Sequence, residues 1–307
     1  MLEKLREKAK LHNDRIVMLP IERLYELKRE LDDFNDKEEL NSFQKWIFTG
    51  LFQYDLPEID FEARSLILVA VPNPLYVNVV LNYKGKKYRT KGVACSIMDT
   101  TKEYITSIAK EEGHRVQEIF HFPLKRLAVQ SGLATYGRNN ITYVDGLGSN
   151  VMYTVFVSDA ISEEDNWRAM CHAKICDTCK ICLTACPTGA IREDRFLIDN
   201  EKCLSCINEG DGEFPDWLPK NAHHTLYDCL RCQMTCPMNI ATCDKEENRQ
   251  TIEIYEEETQ MLLDGKGEAD FTEEFNKRTA ILALFRWSAA LSRNVRAIIE
   301  SDTSNND

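Results

Sequence analysis

The chain has 307 residues, 43% of them hydrophobic, enough for one large or two ordinary globular domains with a real core. Its formal net charge of −12 excludes a surface that attracts nucleic acid or anionic lipid over its whole area and leaves room only for local basic patches. Residues 1–15 mix both charge signs without an apolar stretch, and no apolar run approaches the ~18 residues of a membrane span, so a cytoplasmic protein that does not engage a membrane is expected.

Residues 1–50 read as helices, with Pro20 opening one, Ile21, Leu24, Leu27 and Leu31 at helical spacing, and a second helix over 40–51. Short apolar runs at 65–71 and 76–81 predict strands, and Tyr83-Lys84-Gly85-Lys86-Lys87-Tyr88 predicts a hairpin turn with its return strand. Helix returns over 100–112 and again over 123–131, where Gly132 stops it; 151–157 predicts a buried strand. Strands and helices alternate, so residues 1–165 are expected to form an α/β body within an α+β chain.

From residue 166 the character changes. Cysteines crowd between Cys171 and Cys243, joined by polar loops, and 166–247 reads as a ferredoxin-like cluster module. Residues 248–307 follow as a C-terminal helical segment: 248–267 is acidic, 271–299 carries the spacing of one or two helices, and 301–307 is expected to be a disordered tail.

Twelve cysteines point to disulfides, metal or redox chemistry, and without an export signal metal is the default. Cys176, Cys179, Cys182 and Cys186, followed by Pro187, form the C-x2-C-x2-C-x3-C-P run of bacterial two-cluster ferredoxins. Three cysteines at this spacing wrap three corners of one [4Fe–4S] cubane, while the fourth turns away to ligate the other. Fifty residues later Cys229, Cys232, Cys236 and Pro237 repeat the last part of that spacing, but Leu226 stands where a fourth cysteine would be. Cys203 or Cys206 must supply the eighth ligand. Crossed ligation then gives Cys176, Cys179, Cys182 and Cys236 to one cluster, and Cys186, Cys229, Cys232 and Cys203 or Cys206 to the other. Zinc also uses Cys-x2-Cys pairs, but the triple spacing and the two Cys-Pro endings favour iron–sulfur. Cys95, Cys171 and Cys243 read as small buried apolar residues. Such a module moves single electrons and does not itself choose a substrate.

The segment SGLATYGRNNITYVDGLGS over 131–149, with CDTCKICLTACPTGAI and CLRCQMTCPMN after it, resembles the epoxyqueuosine reductase family. The resemblance spans roughly residues 60–245. It implies a cobalamin-dependent reductase with a corrinoid-binding α/β domain ahead of a two-cluster ferredoxin domain, a plan shared with reductive dehalogenases. It places the spare ligand at Cys203. It also implies that Gly132, Leu133, Gly137, Arg138, Asn139, Asn140, Gly148 and Ser149 bind the cofactor, with Arg138 where the family has lysine. The glycines permit backbone to approach a flat macrocycle, and the asparagines offer amides to its periphery; turns and a helix cap would explain the same residues.

The chain departs from the family at Phe120-His121-Phe122-Pro123, where the resemblance leads one to expect an aspartate as proton donor. His121 and Tyr136 are the candidate catalytic proton donors in its place, the phenol needing a nearby cation such as Arg138. Lys84, Lys86, Lys87, Arg89 and Lys91, interleaved with Tyr83 and Tyr88, offer phosphate contacts and stacking, although a solvated hairpin is the commoner use of such a pattern. The acidic charge, the missing aspartate and the lack of the helical-repeat extension many family members carry place tRNA behind a small-molecule substrate. A low-potential donor such as a ferredoxin or flavodoxin is the expected partner. An electron carrier with no substrate of its own is the remaining reading.

Overall fold

A computed structural model describes residues 1–37, 40–95, 98–240 and 249–303. Cys243 and residues 304–307 lie outside the described residues, while 301–303 continue the last helix, where a disordered tail was expected. The fold is mixed α and β, and the chain divides into two compact units: Met1–Pro72 with Met98–Thr178, and Asn73–Ile97 with Cys179–Asp307. Each unit is discontinuous, because the segment 73–97 joins the second.

The first unit runs through α1 (Leu2–Leu11), β1 (Arg15–Pro20), α2 (Glu22–Lys37) and α3 (Ser42–Trp46), which passes into a π-helical turn at Ile47–Leu51. After β2 (Ser65–Pro72), strands β3 and β4 belong to the other unit; then come α4 (Asp99–Glu111), β5 (Val116–Ile119), α5 (Leu124–Gln130), β6 (Ala134–Tyr136), β7 (Thr142–Val144) and β8 (Val151–Ser158). Four strands form an antiparallel sheet in the order β1-β2-β8-β5, with Ile16 opposite Val69 and Val69 opposite Thr154. The central strand β2 is buried along nearly its whole length, which explains its unbroken apolar run.

Helix α1 buries Leu5 and Ala9, and α4 buries Tyr104, Ile105 and Ala109; Leu5, Ala9, Tyr104 and Ile105 join Ile67, Val69 and Phe156 in one core. Beneath it the Asp14 carboxylate, 4% exposed, accepts the Thr101 hydroxyl at 2.9 Å and the Tyr104 hydroxyl at 2.8 Å. Strand β1 departs from the all-helical reading of residues 1–50. Ile16 and Met18 alternate inward at the strand period, and pairing along all of β2 outweighs the helical prior. Pro20 ends this strand; α2 starts at Glu22.

The second unit opens with the hairpin β3 (Tyr76–Tyr83) and β4 (Lys86–Val93), joined by Lys84 and Gly85 at φ +49° and +70°, the left-handed pair that a two-residue hairpin turn requires. Strand β9 (Thr251–Ile254), unforeseen in the acidic stretch, pairs parallel to β3 and gives the order β4-β3-β9. Between them lie four short helices, α6 (Ile181–Ala185), α7 (Leu204–Glu209), α8 (Arg231–Met234) and α9 (Pro237–Ile240). Helices α10 (Glu256–Leu263), α11 (Glu273–Thr279) and α12 (Ser288–Thr303) close the unit. Val77, Leu81, Ile252, Phe275, Leu291 and Val295 are central to its core. Gly92 on β4 is required by this packing, since a Cβ there would stand 2.2 Å from Leu282 Cδ2. Trp217, in the loop after α7, is 52% exposed.

Candidate iron–sulfur centre

The first cysteine run is built from a 3-10 turn at Lys174–Asp177, carrying Cys176, and from α6, carrying Cys182. Cys176 falls in the first unit and Cys179 to Cys236 in the second. Helix α6 packs against α8, which carries Cys232, so the two halves of the repeated motif are paired in space as in sequence.

At Cys186, where α6 ends, the chain turns through Pro187 and places donors around the sulfur. The Thr188 hydroxyl lies 3.6 Å from Sγ. Burial pushes this thiol up, but the backbone amides of Thr188, Ala190 and Ile191 and the Thr188 hydroxyl outweigh it and hold the group below the ordinary cysteine range. Amides aimed at a sulfur favour the thiolate, the form that binds iron.

Cys203 caps α7 and Cys229 sits between two left-handed residues, Asp228 at φ +57° and Leu230 at φ +60°. Burial raises the Cys203 thiol, two amides, those of Ser205 and Cys206, oppose that, and the neighbouring Cys186 adds to it. Cys229 is pushed up to about 11 by burial, with Cys203 and Cys186 both contributing as neighbouring charges. Cys186, Cys203 and Cys229 are thus within electrostatic reach of one another. Cys206, pushed up to about 11 by burial, feels Cys203, Glu209 and Glu201 and receives no such amide support.

Leu226 marks the break in the repeat for a packing reason. It is 1% exposed within the core of the second unit, and its amide donates to the Lys91 carbonyl at 2.9 Å, stitching the cluster loop to β4. A cysteine here would face the core. The two ring nitrogens of His224 lie against the carbonyls of Ala222 and Cys229. His223 packs against Phe214 with ring centroids 4.3 Å apart and the planes tilted by 48°, and is pushed down to about 4 by burial.

The glycine-containing segment lies in the first unit. Gly132 caps α5 at φ +83° and is exposed, with nothing nearer than 3.9 Å to a Cβ position; Leu133 beside it is half-buried. Gly137, Asn139 and Gly148 are buried. The Asn139 amide donates to the Tyr143 hydroxyl at 2.9 Å, Asn140 sits at φ +60°, and Gly148 exchanges 2.8 Å backbone hydrogen bonds with Val144 ahead of half-buried Ser149. Arg138 Nη2 donates to the Cys176 carbonyl at 2.5 Å.

His121 is exposed at φ +63° in the loop before α5, its carbonyl accepting the Gln53 amide at 3.0 Å. Tyr136 on β6 is 6% exposed, and burial raises its phenol far above the usual range; the cation opposing that rise is Arg126, not Arg138. Its ring lies 6.5 Å from that of His172, a residue that no motif in the chain singles out. Burial lowers the His172 imidazole, with Asp177 opposing and Arg138 and Arg126 reinforcing that effect.

Backbone bonds lace residues 166–178 to this region. Tyr136 N–H donates to the Cys171 carbonyl at 3.1 Å, Ala173 N–H to the Tyr136 carbonyl at 2.8 Å and Arg168 N–H to the Gln130 carbonyl at 2.8 Å. The Arg168 guanidinium adds bonds to the carbonyls of Val129 at 3.1 Å and Ala134 at 2.8 Å.

Residues 175–239 match the 4Fe-4S double cluster binding domain. Epoxyqueuosine reductase of Atelocyanobacterium thalassa (isolate ALOHA) is 30% identical over 148 residues, 48% of this chain and 46% of that protein. The chain is homologous to epoxyqueuosine reductases. It spans about half the length of the curated relatives it matches. In fold, the epoxyqueuosine reductase of Streptococcus thermophilus superposes with a TM-score of 0.65 at 18% identity, covering 100% of this chain and 82% of that one. An epoxyqueuosine reductase solved with a tRNA-Tyr epoxyqueuosine-modified stem loop superposes with a TM-score of 0.59 at 17% identity, covering 97% and 80%. Among the described residues no helix is long and apolar enough to cross a membrane.

Proposed function

We propose that this chain is an iron–sulfur oxidoreductase of the epoxyqueuosine reductase type, acting on tRNA. The observation that carries the reading is the double-cluster match joined to homology with epoxyqueuosine reductases over 148 residues. The relatives and the fold match to a tRNA-bound reductase favour a tRNA substrate over the small molecule that the acidic charge and the departures from the family suggested. Exposed Lys84, Lys86 and Arg89 on the β3–β4 hairpin offer local basic groups to phosphates, while Lys87 beside them is paired with Glu253 at 2.9 Å.

Eight cysteines fit two [4Fe–4S] clusters. Cys176, Cys179, Cys182 and Cys236 serve one by motif, and Cys186, Cys203, Cys229 and Cys232 serve the other, with the mutual approach of Cys186, Cys203 and Cys229 and the amides on Cys203 supporting it over Cys206. Converting an epoxide to an alkene takes two electrons and two protons and releases water, so clusters that pass electrons singly must act twice, fed by a low-potential donor of the ferredoxin or flavodoxin class.

Gly132, exposed and without a side chain, and half-buried Leu133 would hold the edge of a corrinoid, which would supply a low-valent cobalt for the reduction. Buried Gly137, Asn139 and Gly148 shape the turns behind that face. His121, exposed where the family aspartate is expected, is the better placed of the two proton donors for reaching a substrate; the Tyr136 phenol is buried and holds its proton.

The test is expression in queuosine-deficient cells accumulating the epoxide form of the tRNA. Recovery of the reduced base is expected. Persistence of the epoxide despite full iron loading would remove tRNA reduction from this chain.

A further inference from the structure

Like the Arg168 bonds, the bond from Arg138 to Cys176 has a charged donor, but its acceptor is the carbonyl of a cluster cysteine. The turn that launches it is fixed. Gly137 N–H donates to the Ile141 carbonyl at 2.8 Å and Asn140 N–H to the Gly137 carbonyl at 3.1 Å. A Cβ at Gly137 would stand 2.6 Å from the Tyr143 ring and 2.7 Å from Asn139 Oδ1, so a side chain at this turn would collide with both. Tyr143 in turn receives the Asn139 amide. Arg138, half-buried between Gly137 and Asn139, therefore reaches the Cys176 carbonyl from a rigid base rather than from a mobile loop.

We propose that Arg138 is a positioning residue for the cluster ligated by Cys176, and that its charge raises the reduction potential of that cluster alone. This rests on the cluster assignment above. A guanidinium stays protonated at all working pH values, so its charge is constant. On reduction the cluster takes one electron, with no proton, and becomes one unit more negative. A fixed cation one ligand residue away favours the reduced form, by an amount that grows as water is excluded. The bond also holds the carbonyl of the ligand itself, which orients the cysteine relative to the turn. The resemblance puts Arg138 at a cofactor position; the geometry ties its guanidinium to the backbone of a cluster cysteine.

The experiment is a redox titration of the full chain with both clusters reconstituted, using dithionite as reductant and following each cluster by electron paramagnetic resonance. Arg138→Gln is expected to lower one midpoint so that the cluster is about tenfold less reduced at fixed ambient potential, about 59 mV for a one-electron couple, leaving the other midpoint in place. Arg138→Lys, which keeps the charge, is expected to retain most of the wild-type value. Two unmoved midpoints in Arg138→Gln, or two that move together, would overturn the inference while leaving the clusters assigned. Wild-type protein that takes up iron without showing two cluster signals would overturn the assignment and the inference with it.

Discussion

The hydroxyl of Thr188 lies 3.6 Å from the sulfur of Cys186, beside three backbone amides that also favour its thiolate. Hydrogen bonds to a cluster sulfur ease the charge that reduction adds, so their loss lowers the potential. Thr188→Val keeps the shape and deletes the donor. The expected result is a lower midpoint for the cluster that Cys186 ligates and no change for the one assigned to Cys176, measured by the same titration.

Cys203 and Cys206 make a sharp pair for mutagenesis. Cys203→Ser is expected to lose about half of the iron bound per chain, one cubane of two, whereas Cys206→Ser keeps it all. Iron and sulfide assays on anaerobically purified protein decide this. Equal losses from both variants would show that the ligand choice is wrong.

Leu226 ties the cluster loop to the core of the second unit. Leu226→Ala is expected to destabilise that unit by about 2–5 kcal/mol through lost burial and the cavity left behind. Urea unfolding monitored by tryptophan fluorescence measures the change, and a cost under about 1 kcal/mol would contradict the packing described, since buried leucines seldom lose so little.

Glu209 is pushed up to about 8, chiefly by burial and then by the neighbouring Asp228 carboxylate, while Ser205 Oγ lies 3.4 Å from Oε1 and Arg286 opposes the rise. A carboxyl whose folded pKa exceeds its unfolded value binds more protons in the native state. Its contribution to stability is therefore largest below the ordinary glutamate range and declines as pH rises toward about 8. Glu209→Gln is expected to flatten that decline. Thermal melts of wild type and variant between these limits read the difference, and parallel curves would show that Glu209 does not carry it.

Legibility in the sequence followed the range of the interactions involved. The cysteine ligands were readable because their spacing is local and iron–sulfur chemistry fixes it. The strand at β2 was readable because a central strand buried on both faces leaves an unbroken apolar run. Strand β1 was hidden, since its identity depends on a partner about fifty residues away, and β9 was hidden inside an acidic stretch whose pairing with β3 is more distant still. Arg126 and His172 carried no signal for a similar reason: each is an isolated charged or titratable residue until the fold sets both around Tyr136. Arg138 was noticed for its place beside a glycine, and only coordinates could show which way it reaches.

The hairpin β3–β4 is made early in the chain, yet its sheet partner β9 and the helices that cover it come some 160 residues later. During synthesis the hairpin must wait, half of its apolar face uncovered, until the ribosome has released the cysteines and the segment beyond them. Long-range closure of this kind is slow, and it exposes the chain to aggregation while it lasts. It also sets how the protein can be cut. A fragment that begins at residue 166 contains every ligand cysteine but lacks the two strands on which Leu226 and β9 are built. The iron-binding half of this protein is therefore not an excisable cassette; two of its strands are translated before the first cysteine of its motif.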